Sequence, residues 1–390
     1  MTPALVLSFA AAAWWLGSTA VLLLSFFAAL LFPLRRCFRS GNALPPLTAI
    51  VPVKNLHDGF GEAQRSLFAQ DYARLEIMVA AADPESAALS TLRNMRGGIA
   101  PRFIISDCTS AASPKLNNVW PAISQAKNDL ILTKDSNTVL PHPGDLAALV
   151  ARLGSDTGLV SAIPIARQVH SFPAWIEVSI INSFHARVLM LADALGLGFG
   201  LGKIMLFRRS DLLRSGGFDA LKWAVGEDMA VARAMRRLGL RTVLADRTCD
   251  QILGSRSFDE VWQRQLRWMT IWRVQLPAAF VANLFGSALP TALAGAVSAR
   301  LFGMSPATSL VITLAGWCTI ESLLCILKGW PVSLWSPLAF LARELLTPVL
   351  WLSALTTNNV QWAGATYQVH GHRAPNLSVE HDACTRSRVQ

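Results

Sequence analysis

Several residues in this chain have the types and spacing to do chemistry together. Asp135 stands directly after the apolar run Leu130, Ile131, Leu132 in the string LTKDSNTVL, and Asp83 follows a second apolar run in MVAAADPES. An open α/β sheet places its ligand groups at the carboxyl ends of strands, so both carboxylates are expected on one sheet edge. A divalent ion such as Mg2+ or Mn2+ takes one or two carboxylates and completes its shell with diphosphate oxygens; Asp135, with Asn137 nearby, offers such a ligand. Gly226-Glu227-Asp228 opens a helix-like run rich in Ala and Arg. One carboxylate of that pair, with Asp228 the choice, is placed to take the proton of an acceptor hydroxyl. Arg264 and Arg267 in RQLRW lie three apart on one helical face, where guanidinium forks neutralise a diphosphate. Lys115 and Asn117, in SPKLNN, are further candidates for contact with the same phosphorylated ligand.

Each of these groups also has an ordinary structural reading. An Asp that closes a strand is commonly a turn former, Asp83-Pro84 makes an Asx-Pro turn, and an acidic pair at a helix start complements the dipole. Trp262, Trp268 and Trp272 beside the two arginines fit an interfacial aromatic belt, so a membrane-anchoring helix competes with a binding helix. Lys115 on its own would be a solvated loop residue. His185, within 182–187, either touches an acceptor or is a satisfied helix histidine.

The elements that must position these groups begin with an apolar anchor. Residues 1–34 carry no charged side chain, and about 20 apolar residues suffice to cross a bilayer as a helix. Arg35, Arg36 and Arg39 come directly after the run, which places the N-terminus outside and the segment beyond the arginines in the cytoplasm. From 44 to 275 strand-like and helix-like runs alternate, the pattern of an α/β sheet domain, with candidate strands at 47–53, 75–81, 102–105, 130–134 and 158–163 and a helix at 61–70. Three further apolar segments come within 276–362, interrupted only by Arg300, Glu321, Lys328 and the adjacent Arg343 and Glu344, for which pairing is the expected role. Pro277, Pro290, Pro337 and Pro348 allow kinks or a re-entrant piece, and 363–390 reads as a polar tail. The stretch 173–195 lies either in the membrane interface or in the domain as an ordinary helix.

Composition agrees with a membrane protein: 52% of residues are hydrophobic and only 15% charged. The net charge of +10 suits nucleic acid, an anionic membrane surface or a phosphorylated ligand, and sign alone does not choose. Six scattered cysteines with no CxxC spacing indicate neither a zinc site nor a disulfide framework and read as free thiols in a reducing compartment.

Taken together, Asp83, Asp135, Asp228 and RQLRW resemble the D, D, D, (Q/R)xxRW pattern of processive and lipid-directed inverting glycosyltransferases with the GT-A fold. The strings SPKLNNVWPAISQAKNDLILTKDSN, GKIMLFRRSDLLRSGGF and RELLTPVLWLSALTTNNVQWAG are similar to the ceramide glucosyltransferase family, from the N-terminal span to about Gly364. The resemblance implies a GT-A-type, Rossmann-like α/β domain with a mixed sheet and transmembrane helices at both ends. It implies that Asp83 helps hold the nucleotide, that Asp135 takes part in metal and diphosphate binding, and that Asp228 is the catalytic base. Arg264, Arg267 and Trp268 then secure the donor diphosphate and the acceptor site, and Lys115 joins them. One departure is that the second motif reads Asp-Ser-Asn, without a second Asp.

The reaction so implied passes glucose from UDP-glucose to the primary hydroxyl of ceramide with inversion, assisted by Mg2+ or Mn2+. A hopanoid, diacylglycerol or polyprenyl phosphate is the rival acceptor within the class, and a transporter or non-catalytic membrane scaffold is the rival outside it. The expected setting is a multi-pass integral protein of a bacterial inner membrane with its catalytic domain on the cytoplasmic side. Basicity is then attraction to anionic lipid and diphosphate, with no nucleic-acid partner.

Overall fold

The computed structural model describes residues 2–32, 44–95, 98–362, 364–369 and 387–389. Arg35, Arg36, Arg39 and most of the polar tail lie outside the described residues. The chain divides into two compact units: Met1–Phe32, Val169–Ala194 and Ser255–Ala363 form one, and Pro33–Gln168, Leu195–Gly254 and Gly364–Gln390 form the other. Two segments inside the anticipated 44–275 block, Val169–Ala194 and 255–275, thus fall with the apolar helices.

The second unit is built on a mixed sheet. Its strands are β1 (Leu47–Pro52), β2 (Leu75–Ala81), β3 (Arg102–Ser106), β4 (Leu130–Lys134), β5 (Thr157–Ser161), β6 (Ile204–Arg208) and β7 (Arg241–Leu244). With Ser387–Val389 on the edge they run in the order Ser387–Val389, β3, β2, β1, β4, β6, β5, β7. Strands β3, β2, β1 and β4 are parallel neighbours, and β6 lies antiparallel between β4 and β5. All five anticipated strands are present, with ends shifted by no more than two residues.

These strands read as continuous apolar runs because both sheet faces are covered. Ala49, Val51, Val79 and Leu132 point to one layer, where Phe60, Leu67, Leu89 and Leu92 of two helices meet them. Ile50, Met78, Ala80 and Ile131 point to the other, against Leu116, Val119 and Trp120 of the Pro114–Gln125 helix and Val231 and Met235 of the Glu227–Arg237 helix. The period of two along each strand divides the side chains between the layers. Among the described residues Cys249, Cys318 and Cys325 are free thiols.

In the first unit the helices Pro3–Leu31, Pro306–Leu327 and Ser336–Thr356 are each long and apolar enough to cross a membrane. Where a further span was anticipated, Pro277–Phe285 and Ala288–Phe302 form a pair bent by 55°. The break falls at Gly286-Ser287, and Pro290 sits in the first turn of the following helix, where its missing N–H costs little. The stretch anticipated at 173–195 is helix Phe172–Val178, π-helix Ser179–Ala186 and helix Arg187–Ala194. Ile176 and Ile180 pack on Ala339 of the Ser336–Thr356 helix, so the stretch buries one face against a candidate span.

Charges inside this unit close on one another. Arg343 donates to Glu321 at 2.7 Å and to Glu344 at 2.5 Å, and Arg187 donates to Glu321 at 3.0 Å. Glu344 also accepts the Leu289 N–H at 2.8 Å, and Arg187 donates to Ser25 Oγ at 2.7 Å. Two guanidinium groups against two carboxylates leave no net charge, the arrangement that makes ionised side chains tolerable among apolar helices.

Candidate active site

The parallel strands β3, β2, β1 and β4 end on the same edge of the sheet. Asp83 follows β2 and Asp135 follows β4, with β1 between them, so both stand at the same edge of the sheet on strands two places apart. Asp83 is exposed, and its Oδ1 accepts the Glu85 N–H at 2.9 Å. It therefore makes the Asx-type turn foreseen as its plain reading while standing at the ligand edge.

Asp135 is the centre of a charged cluster. Lys115 Nζ lies 2.6 Å from Asp135 Oδ1, and Lys203 Nζ lies 3.0 Å from Oδ2. Burial would raise the Asp135 carboxyl, but the two ammonium groups outweigh it and hold it well below the usual carboxylate range. Lys115 is delivered by the first turn of the Pro114–Gln125 helix, which starts at Ser113 because its Oγ accepts the Leu116 N–H and Pro114 presets the first helical dihedral. Far from being solvated, Lys115 is 10% exposed and also contacts Glu227 Oε1 at 3.2 Å and the Gly202 carbonyl at 2.5 Å. Burial alone would lower its pKa; the carboxylates of Asp135 and Glu227 more than reverse that and keep it charged. Asn117 is turned to its own loop, with Oδ1 accepting from Ala111 N and Nδ2 donating to Ala111 O.

Asp228 sits in the first turn of the Glu227–Arg237 helix. Its Oδ2 accepts the Gly202 N–H at 2.9 Å and its Oδ1 accepts the Met229 N–H at 2.8 Å. Burial, then the neighbouring Glu227 carboxylate, push Asp228 up to about 7, with Lys115 and the two N–H donors pulling the other way. A carboxyl poised there suits proton transfer near neutral pH. A carboxyl serving as base works only when ionised, so in that role Asp228 would make kcat/KM for the free enzyme rise with pH up to about 7 and level off above it. A flat profile across that range would detach Asp228 from the limiting ionisation. Stability has the opposite sign: a carboxyl whose pKa rises on folding disfavours the folded state as pH climbs from its ordinary value towards 7.

Beyond Glu227, weighed in the sequence only as the alternative to Asp228, two contributors were missed there: Lys203 and the glycines of GFGLGK. Glu227 is 5% exposed and links Lys115 to Ser113, whose Oγ donates at 3.1 Å. Lys203 is the second ammonium on Asp135. The glycines of GFGLGK let the chain pass close to the start of the Glu227–Arg237 helix: a side chain at Gly200 would collide with the Asp228 carbonyl, and one at Gly202 would press on the Asp228 carboxylate and Lys115 at 3.3 Å. Glycines at alternate positions just before a strand were the available signal.

Arg264, Arg267, Trp268 and His185 belong to the first unit. They are carried by the helix Phe258–Gln275 and the π-helix Ser179–Ala186. The former opens with a capping box between Ser257 and Glu260. Arg264 donates to Glu177 at 3.2 Å, a fully buried carboxylate that Gln265 also reaches at 3.2 Å. Arg267 donates to the Gln361 carbonyl at 3.2 Å and lies over the Trp362 ring at 5.0 Å. His185 packs against Trp272 and Trp268, with ring centroids 5.0 and 6.0 Å away. A π-helical turn is often found where side chains are re-aimed for function.

Among the described residues no three His, Cys, Asp or Glu side chains gather into a protein-only metal cage. Asp135 is a strand-end carboxylate whose two oxygens each hold an ammonium group, and a divalent ion completed by substrate diphosphate would need only one or two such oxygens from the protein. Asp135 fits that use, and such an ion would neutralise charge on the leaving diphosphate.

Known proteins are similar to this chain. Ceramide glucosyltransferase 3 of Caenorhabditis elegans is 21% identical over 341 residues, which cover 85% of this chain and 74% of the relative. Ceramide glucosyltransferase 1 of the same animal is 21% identical over 336 residues, covering 84% and 72%. Among solved structures, a mannosyltransferase from Pyrobaculum calidifontis in complex with GDP-Man and Mn2+ aligns with a TM-score of 0.53 at 17% identity, over 87% of this chain and 98% of that one. That likeness shows the fold to be the GT-A-type α/β architecture with a mixed sheet. Residues 12–374 match the family model for glycosyl transferase family 21, and the chain belongs to that family.

Proposed function

We propose that the chain transfers glucose from UDP-glucose to the primary hydroxyl of ceramide with inversion at the anomeric carbon. The observation that carries the reading is the cluster at the sheet edge, where Lys115 joins Asp135 to Glu227 beside Asp228. A binding scaffold has no use for a carboxyl tuned towards neutrality beside a charge-neutralising pair. The likeness to ceramide glucosyltransferases supports the acceptor and the sugar.

In this reading the acceptor oxygen attacks the anomeric carbon as the bond to the diphosphate oxygen breaks, and the bonding pair leaves with UDP. Asp228 takes the hydroxyl proton. Lys115, Arg264, Arg267 and Trp268 are assigned to the donor and its diphosphate, Asp83 to the nucleotide, and His185 to the acceptor. Asp135 would hold Mg2+ or Mn2+. The apolar helices hold the protein in a membrane, where a lipid hydroxyl is presented at headgroup level. The arginines at 35, 36 and 39 support a cytoplasmic catalytic unit at a bacterial inner membrane.

The test is to incubate membranes containing the protein with ceramide, hopanoid or diacylglycerol in separate reactions with labelled UDP-sugars, and to identify the lipid product. Glucosylceramide from UDP-glucose is expected. Label in hopanoid or diacylglycerol alone would replace the acceptor and keep the reaction, and no labelled lipid with any pair would end the enzymatic reading.

A further inference from the structure

Lys203 has no part in the reaction as described, yet its position is set tightly. It immediately precedes β6, and the antiparallel register that puts Lys134 opposite Ile204 carries on to put Asp135 opposite Lys203. The Asp135 N–H donates to the Lys203 carbonyl at 3.0 Å. From there Lys203 Nζ reaches Asp135 Oδ2 at 3.0 Å and Asn137 Oδ1 at 3.0 Å. The Asp135 and Asn137 side chains thus converge on one ammonium, at the place where a cation shared by the two would sit. Lys203 and Asp135 are 19% and 24% exposed in their side chains, so the pair is open to a ligand arriving at the sheet edge.

We propose that Lys203 is a built-in cation of the diphosphate site, which competes with a divalent ion for Asp135 and lets a nucleoside diphosphate bind when no metal is present. The inference rests on reading this edge as the donor site. An ammonium on a flexible four-carbon stem has three donors, so it can keep Asp135 and exchange Asn137 for a phosphate oxygen. The same charge repels a divalent ion on the shared carboxylate and weakens its hold. An Asp-Ser-Asn string with one carboxylate then needs no second one, because part of the positive charge belongs to the chain itself.

The test uses the full chain in detergent micelles, with UDP as the probe in calorimetry and Mn2+ followed by paramagnetic resonance. Wild-type protein is expected to bind UDP in EDTA. Lys203→Met, which keeps the unbranched stem but one atom shorter and removes the charge, is expected to lose about tenfold or more of that metal-free affinity, the scale of one charge-assisted hydrogen bond. It is also expected to bind Mn2+ about tenfold more tightly. Lys203→Arg is expected to retain metal-free binding, and Lys203→Gln serves if the methionine variant does not fold. A purely structural lysine would move neither affinity, so a folded Met or Gln variant with wild-type values for both overturns the inference. Wild-type protein that binds UDP with Mn2+ but not in EDTA overturns it without any variant. Wild-type protein that binds UDP under neither condition removes the donor-site reading and this inference with it.

Discussion

Asp228→Asn is expected to lower kcat by about 100-fold to 10,000-fold, the range that a positioned general base contributes, while UDP still binds. The exchange is nearly isosteric, and it removes the repulsion from Glu227 that helps to raise the carboxyl. One contact is lost. Gly202 N–H and Met229 N–H each donate to a different oxygen of Asp228, and an amide offers only one acceptor, so its NH2 must face a donor. That mismatch is local and is expected to cost stability modestly, which a thermal midpoint measured beside the rate would separate from the catalytic loss. Binding of UDP by calorimetry together with transfer within tenfold of wild type would strip Asp228 of its role.

Arg343→Met is expected to cost about 3–5 kcal/mol of stability, the penalty for removing one partner from a buried ion pair. Arg343 is 1% exposed and faces Glu321 and Glu344, which are 2% and 3% exposed. Glu321 keeps Arg187 and Ser183 after the change, but Glu344 keeps only the Leu289 N–H, so a net negative charge is stranded among apolar helices. The loss should appear as a lower thermal midpoint in detergent. Adding Glu344→Gln should recover much of it, because two neutral partners carry no unpaired charge. A single variant that melts with the wild type would show that the cluster contributes nothing measurable.

Five strands were legible because burial on both faces makes each one a short apolar run closed by a polar residue, as in Leu130 to Lys134 before Asp135, whereas β6 and β7 were not anticipated. The long helices were legible because a bilayer demands uninterrupted apolar length. Lys203 was not, since a lysine beside a strand is ordinary until the register of β4 on β6 is known. Glu227 was read only as the alternative base to Asp228, because only the fold shows that Lys115, more than 100 positions earlier, comes to meet it.

Residue order alone carried the local facts: where five of the strands run, which helices suit a membrane, and that strand-end carboxylates share an edge. These come from side-chain periodicity and from the rule that parallel strands finish together. Tertiary structure alone decided which charges meet, and therefore how each one titrates. Coulomb energy depends on distances of a few ångströms between groups far apart in the chain, as when Lys115 draws Asp135 down and Glu227 pushes Asp228 up.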